Sequence, residues 1–345
     1  MGAGELAGDT ADSPFMVSAL GIRTATYFST QPVPIVFSVM DGMNALFSGS
    51  CETVLLIHAL VRNPGRSRRP PADGVTAAAV RRMQAHAVPP DPESTHMAQG
   101  FGYPAWASRY LYEHPGGDKG MGYVAVNGRT GAMQNPLAVM REPMTLDDYF
   151  ASRMVREPLR LLDMDVPVAG ADAFVLTTTE RARDLVEVPV LIHAASTGMV
   201  DWRADDQLPG LRCNGQQVAV NHIREKSDIW APEVDLFFAY DGFTILSLLW
   251  MEAVGWCGPG EATEFIEEHW DDEQQRILIG GKIPLNPHGG SLSEGGTQGS
   301  GHLREAVMQL RDDAGERQVP GATTAMLTIG GLMFNSQCLV LRADG

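Results

Sequence analysis

Short apolar runs bounded by turn residues set the rhythm of this chain. Thr53–Ile57, Ala173–Thr177, Val188–His193, Val234–Tyr240, Thr324–Ile329 and Cys338–Leu341 are each four to eight residues long and rich in branched side chains, the pattern of buried strands. Helix-like segments lie between several of them, so the order of elements predicts an α/β fold. Thr145 is an N-cap candidate followed by Asp147 and Asp148, and predicts a helix start over Thr145–Arg156. Leu303–Leu310 also reads as helix. From Arg62 to about Thr145 the strand rhythm stops while Pro, Gly and Arg accumulate, which predicts an insertion or lid outside any sheet.

Between the strand-like Lys282–Leu285 and the helix at Leu303 lies the densest glycine run of the chain. Of its sixteen residues, Asn286 to Gly301, six are glycine: Gly289, Gly290, Gly295, Gly296, Gly299 and Gly301. Beta-carbons are missing where backbone must approach something closely. This run resembles the thiolase signature Asn-x-x-Gly-Gly-x-x-x-x-Gly-His-Pro-x-Gly, with Gly296 and Thr297 at the places of its histidine and proline. Further segments carry the same resemblance in the same order. Ser48-Gly49 is similar to the end of the nucleophile helix; Asn135–Ala138, Arg153-Met154, Pro158-Leu159, Asp163 and Gly170–Ala173 resemble the loop region and returning strand of the sterol-carrier-type thiolases. Tyr240-Asp241-Gly242-Phe243-Thr244 stands where thiolases carry Asn-Glu-Ala-Phe or His-Asp-Cys-Phe.

The resemblance implies a thiolase-like five-layered αβαβα sandwich of two similar halves. Residues 1–60 would open the N-terminal half, 61–160 form the loop domain, 161–200 return to the N-terminal half, and 201–345 make the C-terminal half. About fifty residues precede the strand at Thr53, so the first strand and helix of the family are expected to be shortened, or their place filled by a partner.

A thiolase needs a cysteine nucleophile near Gln31–Val36, and no cysteine precedes Cys51. The family's second cysteine falls on Thr328, in Thr328-Ile-Gly330-Gly331. The lipid-transfer-protein aldolases of sterol side-chain degradation resemble this chain across the same segments and lack the same groups. That branch implies retro-aldol cleavage of a β-hydroxyacyl-CoA with no acyl-cysteine intermediate. Such chemistry needs a base for the β-hydroxyl proton and hydrogen-bond donors for the thioester enolate oxygen. Tyr240 is the leading base candidate, because the branch carries Tyr-Asp-x-Phe-Thr; otherwise it is a packed strand-end ring. His288 is the candidate to hold or protonate its hydroxyl. Asp241, Asn286, Gly289, Gly290, Thr328, Gly330 and Gly331 are candidates for substrate binding, the glycines through backbone N–H groups. In that branch a second tyrosine and a histidine are expected near Phe334 and Gln298.

Composition narrows the partners. A formal net charge of −16 argues against a nucleic-acid backbone. Six arginines between Arg62 and Arg82 run against that balance, and Arg62, Arg81 and Arg82 are candidates for the phosphates of coenzyme A, or else form a solvated loop. No apolar run approaches the roughly 20 residues of a membrane span, and no leader pattern opens the chain, so the expected compartment is the cytoplasm. Four dispersed cysteines without Cys-x-x-Cys spacing imply neither zinc site nor disulfide framework. No cofactor is expected beyond the coenzyme A of the substrate. The resemblance implies a homodimer and a small OB-fold partner with a zinc ribbon. Two other readings stay open at this level: an acyltransferase or thiolase of unusual mechanism, and a catalytically silent subunit that binds acyl-CoA or lipid.

Overall fold

Alternation of burial along the strands sorts this chain into two mixed sheets. The computed structural model describes residues 2–3, 13–31, 34–60, 102–185, 188–200, 210–331 and 335–344. Its strands are β1 (Gly2–Ala3), β2 (Thr30–Gln31), β3 (Thr53–Leu60), β4 (Met154–Arg156), β5 (Leu159–Arg160), β6 (Gly170–Thr177), β7 (Val190–Gly198), β8 (Leu236–Ala239), β9 (Trp270–Asp271), β10 (Arg276–Ile279), β11 (Ile283–Pro284), β12 (Thr324–Ile329) and β13 (Ser336–Ala343). Its helices are α1 (Ser13–Ala19), α2 (Val36–Phe47), α3 (Gly102–Glu113), α4 (Gly117–Met133), α5 (Leu146–Ala151), α6 (Thr179–Arg183), α7 (Gly215–Arg224), α8 (Thr244–Val254), α9 (Ala262–Glu268), α10 (Gly290–Ser293) and α11 (Ser300–Gln309).

The N-terminal sheet has the order β2-β1-β3-β6, with β3 and β6 antiparallel from Thr53 opposite Thr177 to Leu60 opposite Gly170. The C-terminal sheet has the order β7-β13-β12-β8, with β12 and β8 parallel and Leu285 bridged to Phe237 on the far side of β8. Because side chains alternate along a strand, the C-terminal sheet feeds two separate cores. Phe237, Met326, Cys338 and Val340 share one with α7 and α8, while Leu236, Phe238, Leu327 and Leu339 share the other with Ile35, which precedes α2, Val36 and Val39 of α2, and Leu303 and Ala306 of α11. Helix α2 touches both sheets, and α11 lies between β6 and β12. Sheet, central helices, sheet and outer helices thus follow one another as layers of a thiolase-like sandwich.

Two sequence expectations are corrected here. Residues 161–200 do not belong as a block to the N-terminal half: β7 pairs antiparallel with β13, so the chain changes sheets between β6 and β7. The helix expected over Thr145–Arg156 stops after Ala151. Thr145 does cap it, in a reciprocal capping box with Asp148, but Ser152 turns extended and Met154–Arg156 becomes the first strand of a hairpin.

The described part of the insertion is helical, and α4 is its strut. It packs against α8, α9, α10 and β10, and most of its residues are buried. Glycines along it admit other backbone. A β-carbon on Gly131 would lie 2.7 Å from the carbonyl oxygen of Pro287, and one on Gly128 would lie 3.1 Å from that of Gly289. Asn127 adds a hydrogen bond from Nδ2 to the Leu285 carbonyl (2.9 Å), and Asn135 one to the His288 carbonyl (2.8 Å). Substituting Gly131→Ala is therefore expected to cost about 1–3 kcal/mol through overpacking, read from the urea midpoint. An unchanged midpoint would mean that loop and helix separate freely.

Candidate active site

The segment Tyr240–Thr244 leaves the C-terminal end of β8 and enters α8. Tyr240 N–H donates to the Thr328 carbonyl at 2.9 Å, which carries the parallel pairing with β12 one residue past the strand. The other end is clamped from the insertion side: Thr244 Oγ1 donates to Asp163 Oδ1 (2.5 Å), and the same oxygen accepts from Tyr149 Oη (2.8 Å). Asp163 Oδ2 accepts from Arg160 N–H at 2.6 Å. Burial pushes the Asp163 carboxyl up from its ordinary range, against the pull of these donors. Asp165 N–H donates to the Gly242 carbonyl, so both sides of the turn are held.

Asp241 is 1% exposed and is the hub of the arrangement. It accepts from the backbone N–H groups of Ser291 (2.7 Å) and Leu292 (3.2 Å), and its Oδ1 lies 3.2 Å from His302 Nε2. A β-carbon on Gly290, whose φ is +61°, would run into this carboxylate. Gly289 makes the equivalent room for Ala132 of α4. The two glycines thus serve close approach between protein groups. Asn286 takes φ +45° and donates from Nδ2 to the Ala239 carbonyl at 2.7 Å, while its buried Oδ1 has no hydrogen-bond partner.

Two histidines stand edge to face behind Tyr240. His302, in the first turn of α11, has its ring centroid 5.9 Å from that of Tyr240 and 4.8 Å from that of His288. His288 packs on Phe238 at 5.7 Å, its Nε2 3.3 Å from Glu294 Oε2 without hydrogen-bond alignment. The ring described against Tyr240 is therefore that of His302, which the sequence reading did not single out. Beyond His288 the polar chain continues through Glu294, Arg304 and Asp172, joined by ion pairs, to Ser300.

Burial holds His288 well below the usual imidazole range, with His302, Arg304 and Arg317 adding positive charge around it. This disfavours the charged imidazole, while the neutral ring keeps one N–H with which to donate a hydrogen bond. Burial also lowers His58, on β3. A folded-state pKa below the unfolded one of about 6.5 means that stability is complete above that pH and declines as pH falls through and below it. His288→Leu should flatten the decline below about pH 6 by up to about 1.4 kcal/mol per pH unit, as measured by melts from pH 4.5 to 8. Parallel profiles would show that His288 is protonated in the native protein.

Thr328 is fully buried and donates from Oγ1 to the Phe238 carbonyl at 3.2 Å. Gly331 N–H donates to Asn335 Oδ1 (2.9 Å), its carbonyl accepts from Ser336 Oγ (2.5 Å), and the Gly330 carbonyl accepts from Trp250 Nε1 (3.2 Å). The Gly330-Gly331 turn is therefore largely committed to protein partners. Cys338 lies opposite Thr328 on the neighbouring strand, in the outer core, where burial pushes its thiol up. Burial and the nearby Glu252 push Cys257 up to about 12, so neither is an activated nucleophile. Arg62, Arg81, Arg82 and Phe334 lie outside the described residues. Among the described residues no cluster of three or more His, Cys, Asp or Glu could hold a metal, and no helix is long and apolar enough to cross a membrane.

Residues 199–343 match the family model described as thiolase C-terminal domain-like. Over 259 residues the chain is 34% identical to the 17-hydroxy-3-oxo-4-pregnene-20-carboxyl-CoA lyase of Mycobacterium tuberculosis, an alignment covering 69% of this chain and 64% of that protein. It is 35% identical over 249 residues to the steroid side-chain-cleaving aldolase of Thermomonospora curvata, covering 69% of this chain and 60% of the relative. The chain thus spans less than two thirds of either relative's length. Among solved structures, the Ltp2-ChsH2(DUF35) aldolase superposes with a TM-score of 0.79 at 27% identity, over 99% of this chain and 86% of that one. A monomeric SCP2-thiolase-like protein of Mycobacterium smegmatis shares the fold, with a TM-score of 0.64 at 16% identity over 99% of this chain and 67% of that one.

This chain belongs to the thiolase superfamily. Within it, the chain falls in the sterol-carrier-protein thiolase-like branch that also holds the steroid side-chain-cleaving aldolases.

Proposed function

We propose that the protein is a carbon–carbon lyase that cleaves a β-hydroxyacyl-CoA by a retro-aldol reaction. The observation that carries the reading is a phenol, Tyr240, at the end of β8, with an Asp241–His302 pair fixed behind it and the thiols of Cys257 and Cys338 pushed up by burial. As its phenolate, Tyr240 takes the proton of the β-hydroxyl, the bond between the α- and β-carbons breaks, and the β-carbon leaves as a ketone. The electron pair passes to the thioester as an enolate, whose α-carbon then recovers the proton from Tyr240. Protons balance, and no redox partner or further cofactor is needed beyond the coenzyme A of the substrate. The ladder of buried groups from Asp241 to Arg304 supports the site by fixing it before substrate arrives.

The names of the similar lyase and aldolase support a bulky, steroid-like acyl group as substrate. The similarity to the Ltp2-ChsH2(DUF35) aldolase supports a small DUF35 partner. A homodimer and a cytoplasmic setting complete the reading. The test is to incubate the chain, alone and with a co-expressed DUF35 protein, with steroid and simpler β-hydroxyacyl-CoA thioesters, and to follow ketone and shortened acyl-CoA by mass spectrometry. Absence of both products under every combination overturns it.

A further inference from the structure

We propose that Gln298 is the residue through which the glycine-rich run meets the substrate, and that its side-chain amide donates the hydrogen bond that holds the thioester enolate oxygen. The inference rests on the retro-aldol reading and adds a donor to it.

Accessibility singles out this position. From Asn286 to Gly301 every residue is buried except Thr297 and Gln298, which are half-buried, so any group the run offers to a bound molecule is offered there. Gly289 and Gly290, by contrast, are closed over by Ala132 and Asp241. The opening lies at the Tyr240 end of the C-terminal sheet. On one side of it Gly296 makes room for the carboxylate of Asp165, whose N–H donates to the Gly242 carbonyl; on the other Gly299 makes room for Ile329, the residue after Thr328, whose carbonyl accepts from Tyr240 N–H.

Backbone geometry points to the side chain itself. Six residues of the run take positive φ: Asn286, Gly289, Gly290, Gly295, Gln298 and Gly299. Four are glycine, which adopts this conformation without strain, and Asn286 uses its amide to hold the Ala239 carbonyl. Gln298, at φ +53°, is the one long side chain kept where glycine would fit more easily. Among the described residues Gln275 and Asp312 also take positive φ with longer side chains, but both lie exposed at surface turns. Nor is the Gln298 amide engaged within the protein: Oε1 is buried without a hydrogen-bond partner, and Nε2 donates to no described residue. With Oε1 enclosed, the end of the amide left to the opening is Nε2.

A neutral carboxamide suits that place. It carries two N–H donors and exchanges no proton near neutral pH, so it can hold an enolate without competing with Tyr240 for the proton that Tyr240 moves.

The test is deuterium exchange at the α-carbon of propionyl-CoA in D2O, which requires the enolate but no carbon–carbon cleavage. The full chain is compared with Gln298→Gly, which removes the amide and accepts the positive φ, and with Gln298→Glu, which keeps the length of the side chain and replaces donor by acceptor. Gln275→Gly makes the same change at an exposed turn and serves as control. Melting temperatures confirm that each variant is folded. Loss of one preorganised donor should slow exchange by about 100- to 1,000-fold in both Gln298 variants and leave the control at the parental rate. If the parent exchanges and the Gln298 variants do not, while no β-hydroxyacyl-CoA is cleaved, the lyase reading falls and the role of Gln298 stands. Exchange by a folded Gln298 variant at close to the parental rate overturns the inference, as does a parent that cleaves a β-hydroxyacyl-CoA without exchanging. A parent that does neither overturns both.

Discussion

Replacing Tyr240 with phenylalanine is expected to lower turnover of a β-hydroxyacyl-CoA by about 100- to 10,000-fold while leaving thioester binding nearly unchanged. The substitution removes one oxygen and keeps the ring. The backbone of Tyr240 stays pinned to Thr328, and the ring keeps its place beside His302. If the hydroxyl only packs, its loss costs at most about 1.5 kcal/mol of stability and little rate. Single-turnover rates and acyl-CoA affinity measured on the same folded preparation separate these outcomes. Cleavage by Tyr240→Phe at close to the parental rate would exclude it as the base and move attention to His302.

The second large effect is structural. Asp241→Ala leaves the N–H groups of Ser291 and Leu292 buried without an acceptor and releases His302. At about 1–3 kcal/mol for each stranded donor, the expected loss is roughly 2–6 kcal/mol, together with loss of activity. Asp241→Asn keeps one acceptor oxygen but turns an amide toward a donor, so it should fall between Ala and the parent. Urea unfolding of the three proteins checks the order. A midpoint for Asp241→Ala within about 0.5 kcal/mol of the parent would show that α10 does not depend on this carboxylate.

The strands were legible because burial forces a short-range pattern on them. Thr324–Ile329 matches β12 at both ends, and Val234–Tyr240 contains β8 with the polar Tyr240 and Asp241 just beyond it. Which sheet a strand joins is a long-range matter, and nothing within Val188–His193 reveals that β7 pairs with β13 rather than β6. The glycine-rich run was legible as a place of close approach, but its partner was not. Gly289 and Gly290 accommodate Ala132 and Asp241, residues distant in sequence. His302 was missed because it lies in a helix whose other positions are ordinary; the available signal was its place directly after the run, in Gly299-Ser300-Gly301-His302.

The seating of Pro287 and Gly289 against Gly131 and Gly128 bears on any attempt to build a smaller version of this protein. The insertion interrupts the sandwich in sequence, and by sequence alone it is the natural piece to excise. Yet one wall of the mould in which the glycine-rich loop sets is α4, and Asn127 and Asn135 hold the loop carbonyls from that wall. A minimised chain that joined β3 directly to β6 would keep both sheets and lose the shape of its own active site. Graftable variation lies instead on the outward side of the insertion, where side chains can change without reaching the loop.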